Sequence, residues 1–180
     1  MTPALARNAH LTSLWLASIP SPLGVLEAAA CEAGVCELSF PRQRERDAEL
    51  AALCELLGAQ RAPGSHRHLE QLADELGRYF AGRLQCFRVP LHAPGTVFER
   101  RAWDALLEIP YGATWSYGQQ AAAMGQPSAS RAVGAANGRN RIAIVIPCHR
   151  VIGASGQLVG YAAGVERKRF LLELERAHAR

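Results

Sequence analysis

Cys148 is the one cysteine of five whose neighbours could make it react: it stands in the run Ile146-Pro147-Cys148-His149-Arg150-Val151. A thiol is a nucleophile only once it has lost its proton, and an adjacent imidazole is the usual means of lowering its pKa or taking that proton. His149 is therefore the candidate base. Adjacent residues of an extended strand face opposite ways, so the two side chains can cooperate only if residues 147–151 depart from regular strand or if a water bridges them. A third group would hold the imidazole in place: Glu175, on a helix expected over residues 166–176 that turns Phe170, Leu171 and Leu174 toward the core. A base oriented by a carboxylate is the logic of a catalytic triad.

The other thiols lack such company. Cys31, Cys36, Cys54 and Cys86 lie in apolar patterns with no histidine beside them and read as core or near-surface fillers. Cys31 and Cys36 could share a metal with His66, His68 or His92, but their spacing matches no regular zinc pattern. Neither a metal nor a cofactor is expected. Zinc-dependent base deamination is excluded because it needs a Pro-Cys-x-x-Cys, whereas Pro147-Cys148 runs into His149-Arg150-Val151.

The elements around Cys148 can be read from periodicity and turn chemistry. Residues 142–146 are a β-branched run, expected as a buried extended segment leading into Pro147, which fixes its own φ and restrains the residue before it. Residues 14–20, 24–30 and 34–40 predict a small antiparallel meander. Two helices should follow over 45–57 and 66–80, where Leu50, Leu53, Leu57 and Leu69, Leu72, Leu76, Phe80 recur at helical spacing. Two prolines and a glycine in 89–95 mark a linker. Beyond it Thr96 and Glu99 are spaced as a capping box for a helix carrying Phe98, Ala102, Trp103, Leu106 and Leu107 up to Pro110.

Ser116 and Gln119 repeat that spacing for a short helix through Met124. Gly125 ends it, and Pro127-Ser128 opens another that runs to Asn137, so the pair is a candidate helix-turn-helix. Residues 128–137 are small almost throughout, with Arg131 the one long cation. Only Arg131 and Asn137 could read base edges in a major groove. Such a surface suits a narrow groove with one inserted side chain, and it suits tight packing against another helix equally well.

Bulk properties set the frame. The 180 residues are 49% hydrophobic, enough to bury a core, and no apolar stretch approaches the ~20 residues of a membrane span. An odd number of cysteines without framework spacing implies reduced thiols and a cytosolic or nuclear setting, of which the cytoplasm is the one expected. The net charge of +4 is uneven: residues 1–93 sum to −1 and residues 94–180 to +5. Among the 20 basic residues only Lys168 is a lysine. Arginine's planar fork suits phosphate contact, although genomic base composition also favours arginine codons.

The hexapeptide 146–151 resembles the active-site signature of the methylated-DNA–protein-cysteine methyltransferases, also called O6-alkylguanine-DNA alkyltransferases. The similarity covers residues 95–175, through Ile109-Pro110-Tyr111-Gly112, Ser116-Tyr117-Gly118-Gln119, Ser130-Arg131-Ala132-Val133-Gly134, Gly156, Gly160-Tyr161 and Leu171-Leu172-Glu173-Leu174-Glu175. It implies an α+β chain: a ribonuclease-H-like α/β scaffold domain over 1–93, and a mainly helical, winged-helix-like domain with a helix-turn-helix over 94–180. It implies single-turnover transfer of an alkyl group from O6-alkylguanine, and also O4-alkylthymine, in double-stranded DNA to Cys148. His149 would be the water-linked base, Glu175 the carboxylate behind it, and Asn140 the hinge between DNA-binding helix and site. Tyr117, Ser130, Arg131 and Gly134 would contact DNA, with Arg131 replacing the flipped base. Pro147, Val151, Tyr161 and Ala162 would line the base pocket. The protein would act as a monomer, with room for side-by-side association on DNA, and without a membrane. Zinc ligands found in some members are not recognisable here. Ala162-Ala163 stands where many relatives have serine or glycine, which would narrow tolerance for bulky alkyl groups.

Overall fold

Three short apolar runs form the expected meander: β1 (Thr12–Ile19), β2 (Leu26–Cys31) and β3 (Gly34–Ser39) pair antiparallel in that order. The computed structural model describes residues 12–40 and 46–179, so Glu45, expected to open the first helix, lies outside the described residues. Helix α1 (Arg46–Leu57) carries the chain to β4 (Ala59–Arg61), which pairs parallel with the free edge of β1 and gives the order β3-β2-β1-β4. Three residues with exposed Gln60 and Arg61 show no alternation, so nothing in the sequence marked β4.

The sheet is covered on both faces. Leu53 of α1 packs with Leu14, Ala29, Cys31, Cys36 and Ala59. Cys31 and Cys36 are core fillers there, their sulfurs 3.4 Å apart. On the other face, Leu69, Leu72, Leu76 and Tyr79 of α2 (Arg67–Phe80) join Leu26, Ala28, Ala30, Val35 and Leu38 in the main core. The stretch expected as a linker is instead fastened to β3. Val35 N–H donates to Pro90 O and His92 N–H to Val35 O, each at 2.8 Å. Proline lacks a donor but keeps its carbonyl, which is how a proline-rich segment pairs here.

The C-terminal half is mainly helical: α3 (Val97–Leu107), α4 (Tyr117–Ala123), α5 (Ser130–Gly138) and α6 (Val165–His178), with β5 (Trp115–Ser116) pairing parallel to β6 (Val151–Ile152). Both expected capping boxes form, Thr96 with Glu99 and Ser116 with Gln119. Ala102, Ala105, Ala121, Met124, Val133 and Ala136 pack α3, α4 and α5 together, small side chains allowing the close approach. Inside that contact Asn137 and Gln120 exchange amide hydrogen bonds of 2.7 and 3.1 Å. Asn137 is thereby buried and removed from the base-reading role the sequence left open for it. Helix α5 starts at Ser130, two residues after the expected Ser128.

Residues 142–146 are buried but not extended. Ile142 makes a single bridge to Leu38 of β3, after which the chain turns, with Ile144 at φ 71°. A β-branched residue in the left-handed region carries strain on the order of 1–3 kcal/mol. The partner strand offers Leu38 alone for pairing, through its amide to Arg141 O and its carbonyl to Ala143 N, so β propensity has no ladder to propagate. In α6 the buried stripe is Lys168, Leu171, Leu172 and Glu175. Phe170, expected in the core, falls off that stripe and is 37% exposed.

Candidate active site

The turn after the strained segment is what brings Cys148 and its neighbours to one place. Pro147 precedes a single 3-10 turn, Cys148–Arg150, rather than a strand. In that conformation His149 and Arg150 both point into the protein toward α6 and are buried, while Cys148 is partly buried. Asn140, just beyond α5, braces the loop: its side-chain amide donates to Cys148 Sγ at 3.2 Å and to Ile146 O at 2.8 Å, and its oxygen accepts from Ile142 N–H at 3.0 Å.

Desolvation pushes the Cys148 thiol above its ordinary pKa, and the Asn140 hydrogen bond and the Lys168 charge only partly pull it back. The resting group is a thiol, so the proton must be taken rather than merely lost. The adjacent His149 has the protonation state that a base for this step requires. Burial lowers its pKa, against the opposing pull of Glu175, and keeps the ring neutral. Its Nε2–H donates to Glu175 Oε1 at 2.8 Å, which leaves the lone pair on Nδ1. That nitrogen has no hydrogen-bond partner among the described residues.

Glu175 gathers five donors. Oε1 accepts from Tyr79 Oη at 2.8 Å, from His149 Nε2 and from Arg150 Nη2 at 3.0 Å; Oε2 accepts from Arg150 Nε at 2.9 Å and from Gly112 N–H at 3.1 Å. Burial alone would raise its pKa, but the His149 and Arg150 contacts outweigh it and hold the carboxyl at about 2. Arg150 is further fixed by donating to Ile109 O at 2.7 Å. The lone lysine, Lys168, is fully buried and ties Val151 O and Val159 O together at 2.6 and 2.9 Å.

These arrangements predict a two-step acid profile. In the unfolded chain His149 would bind a proton below about pH 6.5, while the folded site resists it, so stability present above that pH declines as pH falls. Glu175 has its folded value at about 2 against 4.5 unfolded, so its contribution, on the order of 3 kcal/mol, is intact above pH 4.5 and is lost as pH falls through 2. Chemical denaturation at a series of pH values should show both declines. In Glu175→Gln the lower one should vanish.

Two cavities meet at Cys148. One, about 290 Å³, is lined by Tyr117, Gly134, Cys148, Gly160, Tyr161 and Ala162. The other, about 330 Å³, runs from Cys148 and Tyr161 past Ala143 toward Leu38 and Phe40 of the sheet half. Tyr117 Oη donates to Val159 O at 3.3 Å across the first. Gly134 lies beneath the Tyr117 ring, where an added Cβ would sit 3.6 Å from it. Arg131 is exposed one helical turn before Gly134, with Ser130 beside it. Of the residues expected to line the base pocket, Tyr161 and Ala162 line this first cavity. Pro147 and Val151 are buried behind Cys148, Val151 serving through its carbonyl as a partner of Lys168.

Sequence reasoning missed Tyr79, Gly112, Arg150 and Lys168. Arg150 lies inside the hexapeptide, but an arginine next to a Cys-His pair carries no local signal that it is buried against a carboxylate. Tyr79 continues the Leu72, Leu76 stripe of α2, and a hydroxyl on an otherwise apolar stripe was the available signal.

Family models match the chain in two parts: 6-O-methylguanine DNA methyltransferase, ribonuclease-like domain, over residues 14–93, and its DNA binding domain over residues 97–177. A methylated-DNA–protein-cysteine methyltransferase of Mycobacterium bovis is 60% identical over 106 residues, 59% of this chain and 64% of that relative, so this chain spans less than two thirds of that relative's length. Another, from Methanosarcina acetivorans, is 42% identical over 162 residues, 90% of this chain and 98% of the relative. The crystal structure of Mycobacterium tuberculosis OGT in complex with DNA superposes with a TM-score of 0.77 at 45% identity, covering 93% of this chain and 94% of that one.

Proposed function

Because this chain belongs to the methylated-DNA–protein-cysteine methyltransferase family, we propose that it repairs alkylated DNA by moving the alkyl group from O6-alkylguanine onto Cys148, once per molecule. The observation that carries this reading is the convergence at one cavity: Cys148 at its floor, the small-residue helix α5 and Tyr117 at its rim, and the His149–Glu175 pair behind the thiol.

In this reading α4 and α5 act as a helix-turn-helix on duplex DNA, and the damaged nucleotide flips into the cavity at a cost of a few kcal/mol in stacking and pairing. His149 Nδ1 takes the Cys148 proton through a water. Sγ then attacks the alkyl carbon in line, the carbon–O6 bond breaks, and its electron pair stays with the base. Tyr117, whose burial keeps it protonated, supplies the proton with which guanine leaves as its normal tautomer. The thioether formed has no easy leaving group, so each molecule works once. The protein would do this as a cytoplasmic monomer, needing no cofactor.

Incubating the protein with excess duplex that carries O6-[³H-methyl]guanine should give label approaching one per molecule, recovered as S-methylcysteine in the peptide containing Cys148. Continued turnover would point to a hydrolase or transferase instead, and tight duplex binding without any label to a lesion sensor.

A further inference from the structure

The alkyl-transfer reading assigns nothing to the N-terminal half beyond support, yet one of its side chains reaches the reaction's proton relay. Tyr79, near the end of α2, is fully buried and spends its hydroxyl on Glu175 Oε1, the same oxygen that accepts the Nε2–H of His149. Its ring is clamped by Phe80, Phe87 and Tyr111 at centroid distances of 5.4, 5.3 and 6.1 Å. That apolar clamp would be filled equally well by phenylalanine, and burying a hydroxyl costs free energy unless it is bonded. The hydroxyl therefore has a purpose that packing does not supply.

We propose that Tyr79 is a positioning residue for alkyl transfer, holding Glu175 through its hydroxyl and so setting how readily His149 takes the proton of Cys148. The inference rests on the repair reading above. Its physical basis is competition at one oxygen. A donor to a carboxylate spreads part of its negative charge and weakens its pull on the other donors. With Tyr79 in place, Glu175 orients His149 without making it strongly basic. Without it, Glu175 Oε1 is left to His149 and Arg150, and the imidazolium form is favoured.

The charged and titratable neighbours are few and fixed. His149 is faced by Glu175, Arg150 and Lys168; Glu175 by His149, Arg150, Tyr79 and Tyr111; Cys148 by Lys168, Tyr117 and Tyr161. Tyr79 is the member of this set contributed by the sheet half. Its own burial and the adjacent carboxylate raise its pKa well above that of a free phenol, so it remains a donor across any working pH.

The test is the single-turnover rate of methyl transfer from duplex O6-methylguanine as a function of pH, with the full chain. Transfer needs neutral His149, so the rate rises with pH through a limb set by that residue. Tyr79→Phe should move the limb upward by about 0.5–1 pH unit, slowing transfer roughly three- to tenfold on the limb and less than about twofold on the plateau. Incorporating 3,5-difluorotyrosine at position 79, a stronger donor of nearly the same shape, should move it downward and covers the case in which Tyr79→Phe fails to fold. Limbs of both variants coinciding with that of the unaltered protein would overturn the proposal. If the unaltered protein transfers no label, the repair reading fails; the NMR titration of His149 in the same variants then still decides whether Tyr79 tunes it.

Discussion

Replacing Glu175 by glutamine is expected to slow methyl transfer roughly 10²–10⁴-fold, the range of a lost general base, and to lower the unfolding midpoint by about 10 °C. The exchange keeps the volume and removes the charge. Arg150, only 7% exposed and bonded through two of its nitrogens to this carboxylate, would keep its positive charge in the interior with no counter-charge. Breaking one side of a buried pair costs about 3–5 kcal/mol, and a chain of this length loses about 2–4 °C per kcal/mol. The chemical loss has a separate cause. An amide has one oxygen where the carboxylate has two, and five donors converge here, three on one oxygen and two on the other, so its NH₂ must face at least two of them. Where it faces His149, the ring turns to the tautomer with hydrogen on Nδ1, and the lone pair meant for the thiol is gone. Calorimetry and single-turnover rates on the same preparation separate the two effects. A variant that transfers within about twofold of the original rate would remove Glu175 from the proton relay.

What could be read from the chain followed the range of the interactions. Capping boxes at Thr96–Glu99 and Ser116–Gln119 depend on four consecutive residues, and both formed as spaced. The α2 stripe of Leu69, Leu72 and Leu76 depends on one helix and one apolar face, and it lies in the core. Cys148, His149 and Arg150 were legible as neighbours, but that they form a turn rather than a strand depends on Pro147 and on Asn140 tying Ile146 to Ile142. Residues 142–146 have the composition of a strand and are not one, because β3 offers only Leu38 for pairing there. Tyr79 meets Glu175 across 96 residues, and no local pattern announces such a contact. The same holds for Lys168, whose burial became visible only once the segment around Val159 folded back over it.

The site reads differently once these long-range partners are included. Taken from the hexapeptide alone, His149 could either lower the pKa of its neighbour or take its proton. In the folded chain the thiol is raised by desolvation, the imidazole is held neutral, and the negative charge sits one residue deeper on a carboxylate held at about 2. A neutral thiol and a neutral imidazole, with the fixed charge on the carboxylate behind them, are expected to leave Cys148 slow toward small electrophiles in solution. In the proposed reaction the nucleophile would be generated when a substrate occupies the cavity and excludes solvent.

Substituting Arg131 by alanine is expected to slow transfer from duplex DNA roughly 10–100-fold, while leaving transfer from free O6-benzylguanine within about twofold. Arg131 is exposed in the first turn of α5, among Ser130, Ala132 and Ala135, and one turn from the cavity-lining Gly134. It has no bonded partner within the described protein, in contrast to Arg139, which pairs with Glu99, and Arg150, which pairs with Glu175. Losing it should therefore change the unfolding free energy by no more than about 0.5 kcal/mol, as for other surface substitutions. Its proposed work begins only with duplex DNA. Flipping a nucleotide costs a few kcal/mol, and a planar side chain that fills the vacated stack and stays charged near phosphates offsets part of it. An offset of about 1.4–2.8 kcal/mol is the 10–100-fold expected. A free base needs no flipping and reaches Cys148 through the same cavity, so it reports the chemistry alone. Lysine at this position, with the charge but not the plane, should recover only part of the duplex rate. Equal losses on duplex and free base would refute the flipping role and move Arg131 into the reaction itself.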